Sequence, residues 1–144
     1  MKKAFYLLWF SYCLENGDSS DFDLGLFSSK KNAEKKMETV ADKNGFKDFP
    51  KSNFEIIKIF VNFSANIIDK TNVRIYCLWQ EYTDDAGTEW WRIYGYYSNK
   101  KEAIIEKNRL ILHSRLGKKY PKGIQIDECL VDCCKDWEEG FDYI

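Results

Sequence analysis

Few residue types in this chain could do chemistry. The one histidine, His113, stands beside Leu112 near the end of an apolar-patterned segment. A lone imidazole moves a proton usefully only with a second group in reach, and no cysteine lies near it in sequence. Its position suits a helix-terminal surface or packing residue, where a cation gains from the C-terminal dipole. Five cysteines occur, Cys13, Cys77, Cys129, Cys133 and Cys134. The vicinal pair with Cys129 offers thiolates, but structural zinc sites use CxxC pairs or a nearby His, so no metal is expected. A disulfide framework would duplicate with its domain, and these spacings do not, so reduced thiols and a cytoplasmic protein are expected. Adjacent carboxylates at Asp84-Asp85 and Glu138-Glu139 could in principle share acid and base roles, yet adjacent acids in turns are ordinarily solvated. Gly17, Gly25, Gly87 and Gly95 are isolated and make no phosphate loop. The expectation is a protein that is not an enzyme and carries no cofactor.

The elements that must position these residues are set by an internal repeat. Shifting the sequence by 70 places Tyr6 on Tyr76, Leu8 on Leu78, Trp9 on Trp79 and Tyr12 on Tyr82, without a gap. The register continues with Gly17 on Gly87, Gly25 on Gly95, Ser28 on Ser98, Lys30-Lys31 on Lys100-Lys101 and Ala33 on Ala103. Met1-Lys2-Lys3 before Ala4–Phe10 imitates a secretory signal. The same pattern recurs at Ile75 to Tyr82, so the first copy reads as a strand, and its apolar run is too short to span a membrane.

Period-two patterning gives strands at Phe5–Tyr12, Asp21–Phe27 and Phe54–Val61, with Phe22, Leu24 and Leu26 on one side of the second. Ser28-Ser29 caps a helix from about Lys30 to Lys43, and Asn44-Gly45 ends it. The second copy reads as strands Arg74–Tyr82, Trp90–Tyr97 and Ile124–Val131, with a helix from about Lys100 to Ser114 capped by Asn99. The wider apolar face of that helix predicts deeper burial than the first. Each copy is strand-strand-helix-strand, in which the third strand lies beside the first, giving order 2-1-3. The expected fold is α+β, with two repeats related by a pseudo-twofold and antiparallel sheets carrying helices on one side. Residues 1–62 form the first repeat, 63–73 a packed connector and 74–144 the second repeat with an acidic tail, together one compact unit. Superposing Ala4–Val61 on Arg74–Val131 should align Tyr6 with Tyr76, Gly25 with Gly95 and Ala33 with Ala103. Phe54 and Ile56 should match Ile124 and Ile126 after compensating length changes around Pro50 and Pro121.

Punctuation in both halves carries a likeness. The first has Gly25-Leu26-Phe27-Ser28, Ala33, Gly45-Phe46 and Phe49-Pro50; the second has Gly95-Tyr96-Tyr97-Ser98, Ala103, Tyr120-Pro121 and Trp137-Glu138-Glu139-Gly140-Phe141. Each half resembles a small uncharacterised bacterial domain with an aromatic strand, a Gly-x-aromatic-Ser step into a helix, a Tyr-Pro loop and a Trp-x-x-Gly-Phe end. The first half lacks that end, and the second lacks Gly-Phe before its Tyr-Pro. The resemblance implies a fold and no activity.

Composition sets the partners. A net charge of −1 excludes the overall basic field of a general nucleic-acid binder. Charge is nonetheless segregated: Lys100–Lys122 holds eight bases against two acids, and Asp127–Asp142 seven acids against Lys135. Acidic turns next to Trp90-Trp91 suit protein binding, rings supplying burial and charges steering the encounter. The candidate partner-binding residues are therefore Asp84, Asp85, Glu89, Trp90, Trp91, Glu138 and Glu139. The expected function is binding of another protein, an immunity protein neutralising a basic toxin being one form, with a homodimer also compatible. The alternative is a small-ligand sensor or regulatory domain with a pocket at the repeat junction, lined by Trp9, Tyr12, Trp79 and Tyr82.

Overall fold

The computed structural model describes residues 2–63, 73–133, 137 and 139–142. Its elements are β1 (Lys2–Cys13), β2 (Ser19–Phe27), α1 (Lys30–Ala41), β3 (Phe54–Asn62), β4 (Arg74–Thr83), β5 (Glu89–Tyr97), α2 (Lys100–His113), α3 (Arg115–Lys119) and β6 (Ile124–Leu130). Short 3-10 turns at Lys51–Asn53 and Pro121–Gly123 lead into β3 and β6. The class is α+β, and none of the described helices is long and apolar enough to cross a membrane. The expected connector, Phe63 and Val73 apart, lies outside the described residues, as do Cys134 and Glu138.

The chain divides into two compact units, a first of Ala4–Ile59 with Leu130–Ile144 and a second of Met1–Lys3 with Phe60–Cys129. Strand order is β2-β1-β3 in the first and β5-β4-β6 in the second, the expected 2-1-3 in each. The division cuts β3, whose last residues belong to the second unit, and there Asn62 sits opposite Tyr97 in parallel. That pair corrects the expectation of a purely antiparallel arrangement. The acidic tail, assigned by sequence to the second repeat, is counted in the first unit.

Both hairpins obey one register. Tyr6 faces Phe27 and Tyr12 faces Ser20; seventy residues on, Tyr76 faces Tyr97 and Tyr82 faces Trp90. The irregularity falls between Leu8 and Trp9 in one hairpin and between Leu78 and Trp79 in the other. Such a bulge adds one residue to a strand and re-aims its side chains. It explains why Leu24 and Phe27, rather than Leu24 and Leu26, share a core with Leu8 and Phe10. Gly25 adopts φ of 127°, and a Cβ there would lie 2.7 Å from the Cys133 carbonyl oxygen, so glycine is required twice over. The third strands follow the same offset, β3 starting at Phe54 and β6 at Ile124, so the expected length changes around Pro50 and Pro121 do not occur.

Ser29 caps α1 through its side-chain oxygen, which accepts from the Asn32 N–H at 3.1 Å; Asn99 caps α2 by accepting from the Lys101 N–H at 2.8 Å. Ala33 and Ala103 are both fully buried, small enough to bring each helix onto its strands. In the first unit α1 supplies Ala33, Val40 and Ala41 to the core with Leu8 and Phe10, so the helix covers the Tyr6-Leu8-Phe10 face of β1. In the second, Leu78, Leu110 and Ile124 form the corresponding core. The expectation that α2 is the more buried helix is overturned: Ile104, Ile105 and Leu112 are exposed, at 41, 65 and 64%. Its apolar residues spread around the helix, and a single layer of strands can cover one stripe only. Helix α2 ends at His113, next to the expected Ser114. Ser114 takes an extended conformation, its hydroxyl donating to the Leu110 carbonyl at 2.7 Å and accepting from the Gly117 N–H at 2.9 Å, so one residue closes α2 and caps α3.

Rings fill the first core. Phe10, wholly buried, lies 4.9 Å from Phe46 and 4.7 Å from Phe54 between ring centroids. The tail adds two more: Trp137 sits 4.7 Å from Phe22, and Phe141 sits 4.7 Å from both Phe22 and Phe46. Each such pair adds about 0.5–1.5 kcal/mol beyond burial. The tail is tied down by hydrogen bonds as well. Asp132 accepts from the Ser28 N–H and hydroxyl at 2.9 and 2.7 Å, the Trp137 indole donates to the Asp23 carbonyl at 3.2 Å, and the Phe141 N–H donates to the Asn44 carbonyl at 2.8 Å.

Candidate functional site

The β4–β5 turn is built around Asp84. Its backbone N–H donates to Thr88 at 2.9 Å, and one carboxylate oxygen accepts from the N–H groups of Ala86 and Thr88 at 3.0 and 2.9 Å. The other oxygen accepts from the Trp90 indole at 2.8 Å. The indole bond first, and the Thr88 N–H next, hold the Asp84 carboxyl below its ordinary range, because both stabilise the anion. The first unit has Leu14 and Ser20 at these two positions, so this clasp belongs to the second unit alone.

Held in that way, Trp90 still leaves 51% of its surface open. It lines a groove of 640 Å³ with Tyr82, Tyr94, Tyr120, Arg92 and Arg115, among others. Tyr82 and Tyr120 stack as one wall, centroids 4.8 Å apart and planes 20° from parallel. The Arg92 guanidinium lies over the Tyr94 ring at 4.9 Å. Lys119, also in the lining, pairs with Asp85 at 2.9 Å, and that bond raises its pKa. Beneath them Gln80 is completely buried and fully engaged. Its amide N–H groups donate to the Leu116 and Tyr120 carbonyls at 3.1 Å each, and its oxygen accepts from the Tyr94 hydroxyl at 2.5 Å. Burial is the main reason the Tyr94 hydroxyl titrates above its usual value, keeping it a neutral donor.

Among the residues singled out from sequence, the structure brings Asp84, Trp90 and Tyr82 to this groove. Asp85 stands beside it through Lys119, while Glu89 is exposed at the start of β5. Trp91, 62% exposed, alternates to the other face of β5. Glu139 is exposed in the first unit, and Glu138 lies outside the described residues. The expected ligand set is not assembled here: Tyr12 stacks against Phe141 at 5.4 Å in the first unit, Trp9 does not line the groove, and Trp79 lies on the opposite face of β4 from Tyr82. The Trp79 indole N–H is buried without a hydrogen-bond partner among the described residues.

The sequence alone gives no binding role to Gln80, Arg92, Tyr94, Arg115 or Tyr120. One signal could have found them: they are where the copies differ, Gln80 standing for Phe10, Arg92 for Phe22 and Arg115 for Gly45. His113 ends α2 and is exposed, a surface rather than a packing residue. Cys13 and Cys133 are free thiols, and no metal-ligating cluster occurs among the described residues. No protein-family model, curated protein or solved structure matches this chain.

Proposed function

We propose that this is a non-enzymatic binding protein, a tandem duplication of one strand-strand-helix-strand unit, that holds a partner protein in the groove of its second unit. One observation carries the reading: Trp90, a lining residue of the open groove, is clasped by Asp84 while half its surface stays exposed. An aromatic anchor already fixed in place gives up little rotamer freedom on binding, which is what makes such residues dominate interface energies.

The geometry supports a different charge on the partner from the one expected. Asp84 is engaged within its own turn and Asp85 by Lys119, so these acids are less available to a basic toxin than their sequence suggests. Arg92 and Arg115 face the groove instead. An immunity protein that caps a toxin is one form of this function, through an acidic rather than a basic segment of the toxin. The small-ligand reading is favoured by the stacked Tyr82 and Tyr120 beside Arg92 and Arg115 in one groove; it moves from the repeat junction to this groove.

The test is affinity capture from the native cells with wild type and Trp90→Ala in parallel. A protein retained by wild type and lost with Trp90→Ala, while the two melt within a few degrees of each other, supports the reading. A captured protein indifferent to Trp90→Ala, or none captured, overturns it.

A further inference from the structure

The first unit shows how a groove in this position is filled. The lining of the second unit's groove has its counterparts 70 residues earlier: Tyr82 in Tyr12, Arg92 in Phe22, Arg115 in Gly45, Leu116 in Phe46. In the first unit those counterparts carry the tail. Phe141 stacks on Tyr12 at 5.4 Å and packs on Phe22 and Phe46, and Trp137 packs on Phe22 and Phe46 at 4.7 and 5.9 Å. By sequence, the segment that follows β3 as the tail follows β6 runs Phe63-Ser64-Ala65-Asn66-Ile67-Ile68-Asp69-Lys70-Thr71-Asn72, with no Trp-x-x-Gly-Phe.

The second groove keeps one ring of the wall, Tyr82 for Tyr12, has Tyr120 where the first unit has Pro50, and changes what lies around them. Phe141 needs Gly45, where a Cβ would come within 2.7 Å of its ring; the second unit has Arg115 there. Phe22 becomes Arg92, Phe49 becomes Lys119 and the central Phe10 becomes Gln80. Neither Arg92 nor Arg115 has a carboxylate partner among the described residues. Exposed guanidinium forks beside tyrosine rings recognise a carboxylate by paired hydrogen bonds and an aromatic ring by stacking. The tail carries both groups, as Trp137-Glu138-Glu139-Gly140-Phe141-Asp142.

We propose that the groove of the second unit takes a partner protein's acidic, aromatic segment, of the chemistry of this chain's own tail, with a Trp or Phe ring against Tyr82 and Tyr120 and carboxylates on Arg92 and Arg115. This deepens the binding function and rests on it.

The probe is a fluorescein-labelled peptide of sequence Trp-Glu-Glu-Gly-Phe-Asp, titrated with the full-length protein by anisotropy. Binding is expected, weakened about tenfold by Arg115→Glu and further by added Arg92→Glu, since each removes a charge-assisted contact. The peptide Trp-Gln-Gln-Gly-Phe-Asn should bind about tenfold more weakly, and raised salt should weaken the acidic peptide. Unchanged melting of the variants guards against unfolding, with Arg115→Ala as the milder substitute. No binding, or binding indifferent to both arginines and to the peptide's charge, overturns the proposal. If a partner still depends on Trp90 in that case, the binding function stands and only the assigned chemistry falls; if neither holds, both fall. Sedimentation of the protein alone covers the remaining occupant: a dimer abolished by Arg115→Glu would place a second copy's tail in the groove and overturn the assignment to a partner.

Discussion

Asp84 and Gln80 show how single polar residues shape this surface. Asp84 organises its turn and the indole of Trp90, and its depressed pKa carries a sign. A carboxyl whose folded value lies below its unfolded value adds stability above the unfolded value and loses it as pH falls through the folded one. The Trp90 indole N–H resonance should therefore keep its hydrogen-bonded position down to a midpoint below the ordinary Asp value of about 3.9. Asp84→Asn should remove that titration, and a midpoint at or above the ordinary value would contradict the clasp. Gln80 is tolerated in a buried position because its amide meets two carbonyls and a hydroxyl. Left unpaired, a buried polar group costs about 1–3 kcal/mol, so its partners on α3 and β5 had to be fixed with it.

At the scale of elements, α2 makes the sharpest contrast. Leu110 is 4% exposed and closes the core with Leu78 and Ile124, while Ile105 is 65% exposed. Urea denaturation should find Leu110→Ala weaker by about 2–5 kcal/mol, from lost transfer energy and the cavity left behind. Ile105→Lys should stay within about 0.5 kcal/mol, as surface changes do. A large loss on Ile105→Lys would mean that this side of α2 is covered in solution. Both residues belong to an apolar-looking segment, and only the strands beneath α2 distinguish them.

For the whole molecule, the tail matters most. Phe141 and Trp137 complete a core whose other members come from the first 56 residues. Phe141→Ala should destabilise the first unit by about 2 kcal/mol, less than the range for a fully buried ring because Phe141 is only partly enclosed. Hydrogen exchange should show the amides of β1 and β2 losing protection before those of β4 and β5, since the second core contains neither tail ring. Equal loss in both hairpins would mean that the tail supports more than the core it touches.

The sequence by itself determined the local order. Period-two strands, turn residues, caps and the 70-residue offset are written in neighbouring residues, and a strand slipped by one position would turn its core face outward, so register survives wherever one face is buried. Tyr6 and Tyr76, Gly25 and Gly95, Ala33 and Ala103 take corresponding places for that reason. Only the tertiary structure decided what depends on distant chain. Trp137 and Phe141 meet Phe22 and Phe46 across about ninety residues or more, and no local pattern encodes that choice. The groove arises likewise where β4, β5 and α3 converge on Gln80. Its residues look unremarkable one by one in sequence, and their meaning lies in the aromatic core they replace.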